Sequence, residues 1–210
     1  PVVFLKPTTA LLTKNNVVRI PNFRGKPISN DLQNEVELVI AVGKGGVDIS
    51  QSTAFDHVLG YAVGIDFTLR DVQTEAKKNG HPWEVAKGFR TSSPVSKIVQ
   101  KSEVGDPGKL NISLKVNGIV KQSANTSQMI FKIRFIIHYL SSVFGLKHGD
   151  IIFTGTPAGV CRLNAGDEIE LPIRLPVRQR CFDKVQAVVF PLGSRRRRHQ
   201  AHAHNRDRQA

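Results

Sequence analysis

The sequence predicts an α+β domain that is mostly β, on three observations: short β-rich runs recur along residues 1 to 173, turn residues separate them, and few helical stretches intervene. Val2 to Leu5 reads as a first short strand ending at Lys6-Pro7, and Val17 to Ile20 as a second ending at Pro21. Glu35 to Val42 reads as a third, closed by the turn Gly43-Lys44-Gly45-Gly46. Residues 52 to 59 suit a short helix before Tyr61 to Thr68, which reads as a buried strand. Helix formers return from Leu69 to Asn79, and Gly80 with Pro82 ends them. Ile112 to Val116 and Ile119 to Gln122 flank Asn117-Gly118, a strong hairpin signal. Thr126 or Ser127 is expected to cap a helix through Phe144. In it Met129, Ile133, Ile136, Ile137, Leu140, Val143 and Phe144 recur at helical spacing as a core stripe. Ile151 to Phe153 and Glu168 to Leu171 complete the strands.

Composition bounds the function. Residues 1 to 173 read as one folded domain and residues 174 to 210 as an atypical basic tail. The formal charge of +13 is uneven: the tail carries +8, including Arg195 to Arg198, and the larger remainder only +5. The tail, with His199, His202 and His204, lacks apolar periodicity and is expected to be disordered at its end, with at most weak affinity for nucleic acid. No apolar run approaches the roughly 20 residues that cross a bilayer. Cys161 and Cys181 can pair but make no disulfide framework, which favours a reducing compartment such as the cytoplasm.

One strand carries a chemical signal. Glu35 and Glu37 are one residue apart, so on a strand both carboxylates point the same way. Two like charges on one face call for a shared cation, and carboxylate oxygens suit a hard divalent ion such as Mg2+ or Mn2+. A third ligand is sought where a carboxylate interrupts a buried strand, as Asp66 does, because an unpaired buried carboxylate is costly.

Several blocks occur in order: Phe4-Leu5-Lys6-Pro7, Glu35-Val36-Glu37-Leu38, Gly60-Tyr61-Ala62, Asp66 to Gln73, Pro82-Trp83, Ala86-Lys87-Gly88-Phe89, Ser93 to Ser96, and Gly149 to Val160 with its Thr154-Gly155-Thr156-Pro157 turn. Together they resemble the fumarylacetoacetate hydrolase family, most closely its acylpyruvate and fumarylpyruvate hydrolase branch, over residues 1 to 171. The resemblance implies a mixed β-sandwich roll, a homodimer, and Mg2+ or Mn2+ held by Glu35, Glu37 and Asp66. It also implies a catalytic cation at Lys87, substrate contacts at Arg70, Gln73 and Thr156, and a weaker ion contact near Thr91. Structural roles compete with each: an Arg70-Asp71 surface pair, a solvent-facing Gln73, an exposed Lys87, and a Thr156 that only shapes a turn.

The reaction so implied is cleavage of a carbon-carbon bond in an acylpyruvate, giving pyruvate and a carboxylic acid. The metal and Lys87 stabilise the enolate, and a base activates water. Oxaloacetate decarboxylation, oxo-acid isomerisation and an inactive fragment are the alternatives. The family draws its base from a His- and Glu-bearing lid segment that precedes the Phe-Leu-Lys-Pro block, whereas this chain starts at Pro1 and is expected to lack it. His81 reads as a loop residue, and His57 and His138 as packing residues. Cys161 in place of the usual glycine is expected to strain a tight backbone, and the family's closing strand after Glu170 is expected to be missing, leaving a sheet edge open.

Overall fold

The computed structural model describes residues 1–12, 17–172 and 182–188. Its strands are β1 (Leu11–Leu12), β2 (Val17–Arg19), β3 (Asn22–Phe23), β4 (Lys26–Pro27), β5 (Leu32–Gln33), β6 (Val36–Val42), β7 (Val58–Ile65), β8 (Thr68–Leu69), β9 (Ser93–Pro94), β10 (Val99–Gln100), β11 (Asn111–Val116), β12 (Ile119–Asn125), β13 (Ile151–Phe153), β14 (Glu168–Pro172) and β15 (Phe182–Val188). The α-helices are α1 (Arg70–Asn79), α2 (Glu84–Lys87), α3 (Lys101–Val104) and α4 (Ile133–Phe144).

Two sheets dominate. One runs β10-β7-β6-β13, antiparallel throughout. The other runs β12-β11-β14-β15-β2, antiparallel except where β15 meets β2. Short pairs β1 with β9, β3 with β4, and β5 with β8 fasten the connections. The α+β, strand-rich class is therefore the one the sequence predicts.

Strand β6 is buried along its whole length, which accounts for its nearly continuous apolar run. Its even-numbered side chains serve two cores. Val36 packs with Val63, Ile65 and Phe67 and with Ile112, Leu114 and Ile169 of the second sheet. Leu38, Ile40 and Val42 pack with Ile133, Ile136 and Ile137 of α4. The odd-numbered face begins with the acids, and Glu37 is opposed on β7 by Gly64, which has no side chain to intrude.

Several elements depart from the sequence reading. Val2 to Leu5 forms no strand: Val2 and Leu5 lie exposed, and Phe4 instead packs its ring 6.1 Å from Trp83. Residues 54 to 57 form a 3-10 turn, and β7 ends at Ile65 so that Asp66 follows the strand. The helix expected from Thr126 starts at Ile133. Thr126 spends its hydroxyl on Pro107 O and Leu110 N, while Asn125 caps only a 3-10 turn at Thr126–Gln128. At the other end Val143 and Phe144 are about half exposed, so the apolar stripe is core only as far as Leu140. The hairpin forms as read, with Asn117 at φ 50° and Gly118 at φ 77° in the left-handed region that such turns require.

The sheet edge expected to be open is covered. Strand β15 pairs with β14 from Glu168↔Gln186 to Pro172↔Phe182 and joins β2 on its other side. Cys161 does not adopt a positive φ; its thiol donates to Asn34 Oδ1 at 3.1 Å, so the expected strain is absent. Cys181 and the basic run at 195 to 198 lie outside the described residues.

Candidate metal centre

The three predicted ligands meet because of strand register. Val36 pairs with Ile65, so the next step outward sets Glu35 opposite Asp66, whose N–H donates to Glu35 O at 2.8 Å. Directly opposed residues share a face, and Glu37, two residues along, shares it too. One carboxylate oxygen from each of Glu35, Glu37 and Asp66 lies within 4.8 Å of the others.

Three cations surround them. Lys87, nearly fully buried at the end of α2, donates to Glu35 Oε2 at 2.8 Å, Asp66 Oδ2 at 2.7 Å and Thr68 Oγ1 at 2.7 Å. Lys6 donates to Asp66 Oδ1 at 2.6 Å and to the carbonyl oxygen of Lys87. Arg70, on the first turn of α1, spreads its guanidinium over Glu35 Oε1 (2.5 Å), Gln73 Oε1 (2.6 Å) and Gln33 Oε1 (2.8 Å). Phe4 completes the wall, its ring 5.2 Å from the Lys87 ammonium.

Geometry removes the competing structural roles of Arg70, Gln73 and Lys87, while the turn-shaping role of Thr156 stands beside the substrate-contact one. Arg70 does not pair with Asp71, which instead accepts from Ser29 Oγ and Asn30 N. Gln73 is buried, and so is Lys87. Thr156 lies on the loop after β13, where the Gly155 N–H donates to Glu37 Oε2 at 2.5 Å and the Thr154 hydroxyl donates to Leu38 O. That loop also meets β12, where Gln122 Nε2 donates to Thr156 Oγ1 at 2.9 Å. Thr91 sits at φ 74°, and its hydroxyl accepts from Arg19 N rather than turning to the acids. His57 and His138 turn Nδ1 to the carbonyls of Lys44 and Ile49, and His81 is exposed.

Sequence reasoning did not assign roles to Lys6, Thr68, Gln33 or Gln122. Lys6 stood in the recognised block Phe4-Leu5-Lys6-Pro7, which was the signal available; its place beside the acids is visible only in the fold.

Electrostatics separates the acids. Burial pushes the Glu37 carboxyl up to about 8, Asp66 and Glu35 add to the rise, and the Gly155 N–H opposes it. Burial pushes Glu35 up as well, but Lys87 and Arg70 outweigh it and hold the group below the usual carboxylate value. Lys6 falls below the ordinary lysine value because burial exceeds the pull of Asp66. Three oxygens at ligand spacing, one of them on a carboxylate short of positive partners, fit a hard divalent cation.

A strand-rich domain with three carboxylates at the spacing of a divalent-cation site, and three fixed cations beside them, defines the class of the molecule. Its family follows from comparison: the model of the fumarylacetoacetate hydrolase C-terminal domain matches residues 1–184, and the chain belongs to that family. It is 46% identical over 173 residues to the mitochondrial oxaloacetate tautomerase FAHD1 of Mus musculus, covering 82% of this chain and 76% of the relative. The fumarylpyruvate hydrolase of Pseudomonas aeruginosa, solved in complex with Mn2+ and pyruvate, superposes with a TM-score of 0.78 at 35% identity, covering 89% of this chain and 78% of that one. The 2-hydroxyhepta-2,4-diene-1,7-dioate isomerase of Mycobacterium marinum superposes with the same score at 37% identity, over 90% of this chain and 69% of that one. The family thus spans hydrolases, isomerases and tautomerases. Among the described residues no helix is long and apolar enough to cross a membrane.

Proposed function

We propose that the protein is a divalent-metal-dependent enzyme of small 2-oxo dicarboxylates, and that its reaction is keto-enol tautomerisation of oxaloacetate. The charge balance of the site supports the dicarboxylate substrate, and the 46% identity to an oxaloacetate tautomerase supports the choice of reaction. Glu35, Glu37 and Asp66 face Lys6, Lys87 and Arg70, three acids against three cations. A divalent ion leaves two positive charges in excess, which a dianion neutralises and a monoanion does not.

Glu35, Glu37 and Asp66 are the residues that would hold Mg2+ or Mn2+, which when bound supplies Lewis-acid polarisation of a 2-oxo group. Lys87, locked by Glu35, Asp66 and Thr68, offers a fixed positive charge to the oxygen on which negative charge develops when C3 loses its proton. Tautomerisation moves one proton from C3 to that oxygen and consumes no water. Arg70 with Gln73 on one side, and Thr156 on the other, supply polar groups for the substrate carboxylates.

Carbon-carbon hydrolysis of an acylpyruvate is the second reading, favoured by the structural likeness to the Mn2+- and pyruvate-bound fumarylpyruvate hydrolase. It uses the same enolate stabilisation but also requires an activated water. Fumarylpyruvate is a dianion and fits the charge argument, whereas acetylpyruvate is a monoanion and fits it poorly.

The test strips the protein of metal, reloads it with Mn2+, and follows both the enol absorbance of oxaloacetate and pyruvate release from fumarylpyruvate. The expected result is metal-dependent ketonisation that Glu35→Gln reduces to the background rate. Pyruvate release faster than ketonisation overturns tautomerisation in favour of hydrolysis, and no metal dependence in either assay removes both readings.

A further inference from the structure

Gln122 is buried on β12, at 1% exposure, and its amide reaches two separate parts of the site. Its Oε1 accepts from Asn34 Nδ2 at 2.8 Å and from Val36 N at 3.0 Å. Its Nε2 donates to Thr156 Oγ1 and to Pro157 O, both at 2.9 Å. These four bonds use the two acceptor and two donor positions of a primary amide. Val36 is the residue between Glu35 and Glu37, so one side chain joins the acid-bearing strand to the Thr154 to Gly159 loop.

The orientation of that amide is chemically determined. A backbone N–H can only donate, so the atom facing Val36 is the oxygen; a carbonyl can only accept, so the atom facing Pro157 O is the nitrogen. Thr156 Oγ1 therefore receives a hydrogen bond from Gln122, and its own hydroxyl proton is directed elsewhere. The loop is also pressed against β12 at Gly159, φ 101°, where a Cβ would collide with Lys121 O. The loop thus has little freedom to turn Thr156 away.

We propose that Gln122 is a positioning residue that sets the polarity of Thr156, making its hydroxyl a donor to an anionic oxygen of the bound oxo acid. This rests on the functional reading above. Ionised carboxylate and enolate oxygens only accept, so a Thr156 hydroxyl already satisfied as an acceptor is matched to them. A side chain that accepted from Thr156 would consume the proton the substrate needs.

The test measures two affinities in each variant: Mn2+ alone, by its electron paramagnetic resonance signal, and pyruvate on the Mn2+-loaded protein, by calorimetry. In Gln122→Met the Mn2+ affinity is expected to stay within about threefold while pyruvate binding weakens about tenfold. That factor corresponds to about 1.4 kcal/mol for a hydrogen bond to a charged group. Thr156→Val is expected to lose a similar factor, Thr156→Ser to bind as the unmodified protein does, and the double variant Gln122→Met with Thr156→Val to be no weaker than Thr156→Val. Gln122→Glu keeps the acceptor for Val36 and Asn34 but replaces the donor, and is expected to weaken pyruvate binding at least as much. Unchanged pyruvate affinity in Gln122→Met, parallel loss of Mn2+ affinity, or full additivity in the double variant overturns the proposal. If Gln122→Met does not fold, equal affinities in Thr156→Val and Thr156→Ser overturn it. Where the unmodified, Mn2+-loaded protein binds the dianion oxalate but not the monoanion pyruvate, oxalate replaces pyruvate in every comparison; failure to bind either removes the functional reading itself, and this inference with it.

Discussion

Two buried polar clusters sit back to back on the segment from Asn34 that leads into β6. Glu35 points to one side with Glu37, Asp66, Lys6, Lys87 and Arg70; Asn34 points to the other with Gln122, Thr156 and Cys161. The ionic cluster is balanced only in sum. Glu37 accepts from the Gly155 N–H rather than from a cation, and its carboxyl is pushed up to about 8. In the amide cluster the central side chain is complete, because Gln122 makes every bond its amide allows. The first is built to gain something, a cation and an anionic substrate, and the second to hold a shape.

The contrast breaks most visibly at Lys87. Lys87→Met leaves Glu35 Oε2 and Asp66 Oδ2 without their shared ammonium, and removing one partner of a buried ion pair costs about 3–5 kcal/mol. Chemical denaturation of the metal-free protein should show that loss. Excess Mn2+ should return part of it, because the ion supplies the missing positive charge. A variant as stable as the unmodified protein, with or without metal, would show that the ionic cluster has slack.

A second difference is in pH dependence. The folded Glu37 carboxyl titrates near 8, above the 4.5 of an unstrained glutamate, so between those values the folded protein holds a proton that the unfolded chain has released. Stability contributed by Glu37 is therefore complete below pH 4.5 and is lost as pH rises towards 8, by about 1.4 kcal/mol per pH unit. Glu35, shifted down, acts below 4.5, and Lys6, shifted down from 10.5, opposes the trend at the alkaline end. Thermal unfolding of metal-free protein from pH 5 to 7.5 should show the decline. Saturating Mn2+ should flatten it, since a bound cation displaces the proton in both limits of the window. A metal-free profile that rises across this range would contradict the assignment.

The two clusters also differ in how far the sequence disclosed them. The acids were legible because period-2 spacing fixes the face shared by Glu35 and Glu37, and because a carboxylate beside apolar residues singles out Asp66. Their closeness follows from one pairing, Val36↔Ile65, which spacing alone cannot supply. Gln122 was hidden by a bulge. Counting back from the Asn117-Gly118 turn, Val116↔Ile119 and Lys115↔Val120 lead to Leu114↔Lys121, yet the register shifts and Leu114 pairs with Gln122. One inserted residue turns Gln122 inward and Lys121 outward, and no alternation pattern announces it. The start of α4 was hidden for a related reason: Thr126 has the chemistry of a cap but bonds to Pro107 and Leu110, partners distant in sequence. The strand at Phe182–Val188 lies in a run whose composition resembled the basic tail around it, so its place between β14 and β2 depends on partners the local sequence does not name.

The smallest effect belongs to the neutral cluster, and its size measures how separate the two are. Asn34→Leu removes the donor to Gln122 Oε1 and the acceptor for Cys161 Sγ while nearly conserving volume. Gln122 Oε1 keeps the Val36 N–H, so no buried oxygen is left wholly unpartnered, and the cost should be about 1–2 kcal/mol. Neither Asn34 nor Gln122 titrates, so the loss should be the same at pH 5 and pH 7.5 and with or without Mn2+. Denaturant midpoints at those two pH values measure this directly. A loss that grows with pH or shrinks with Mn2+ would mean that Asn34 helps to place Glu35 through the peptide they share. The two faces of the strand would then act as one unit.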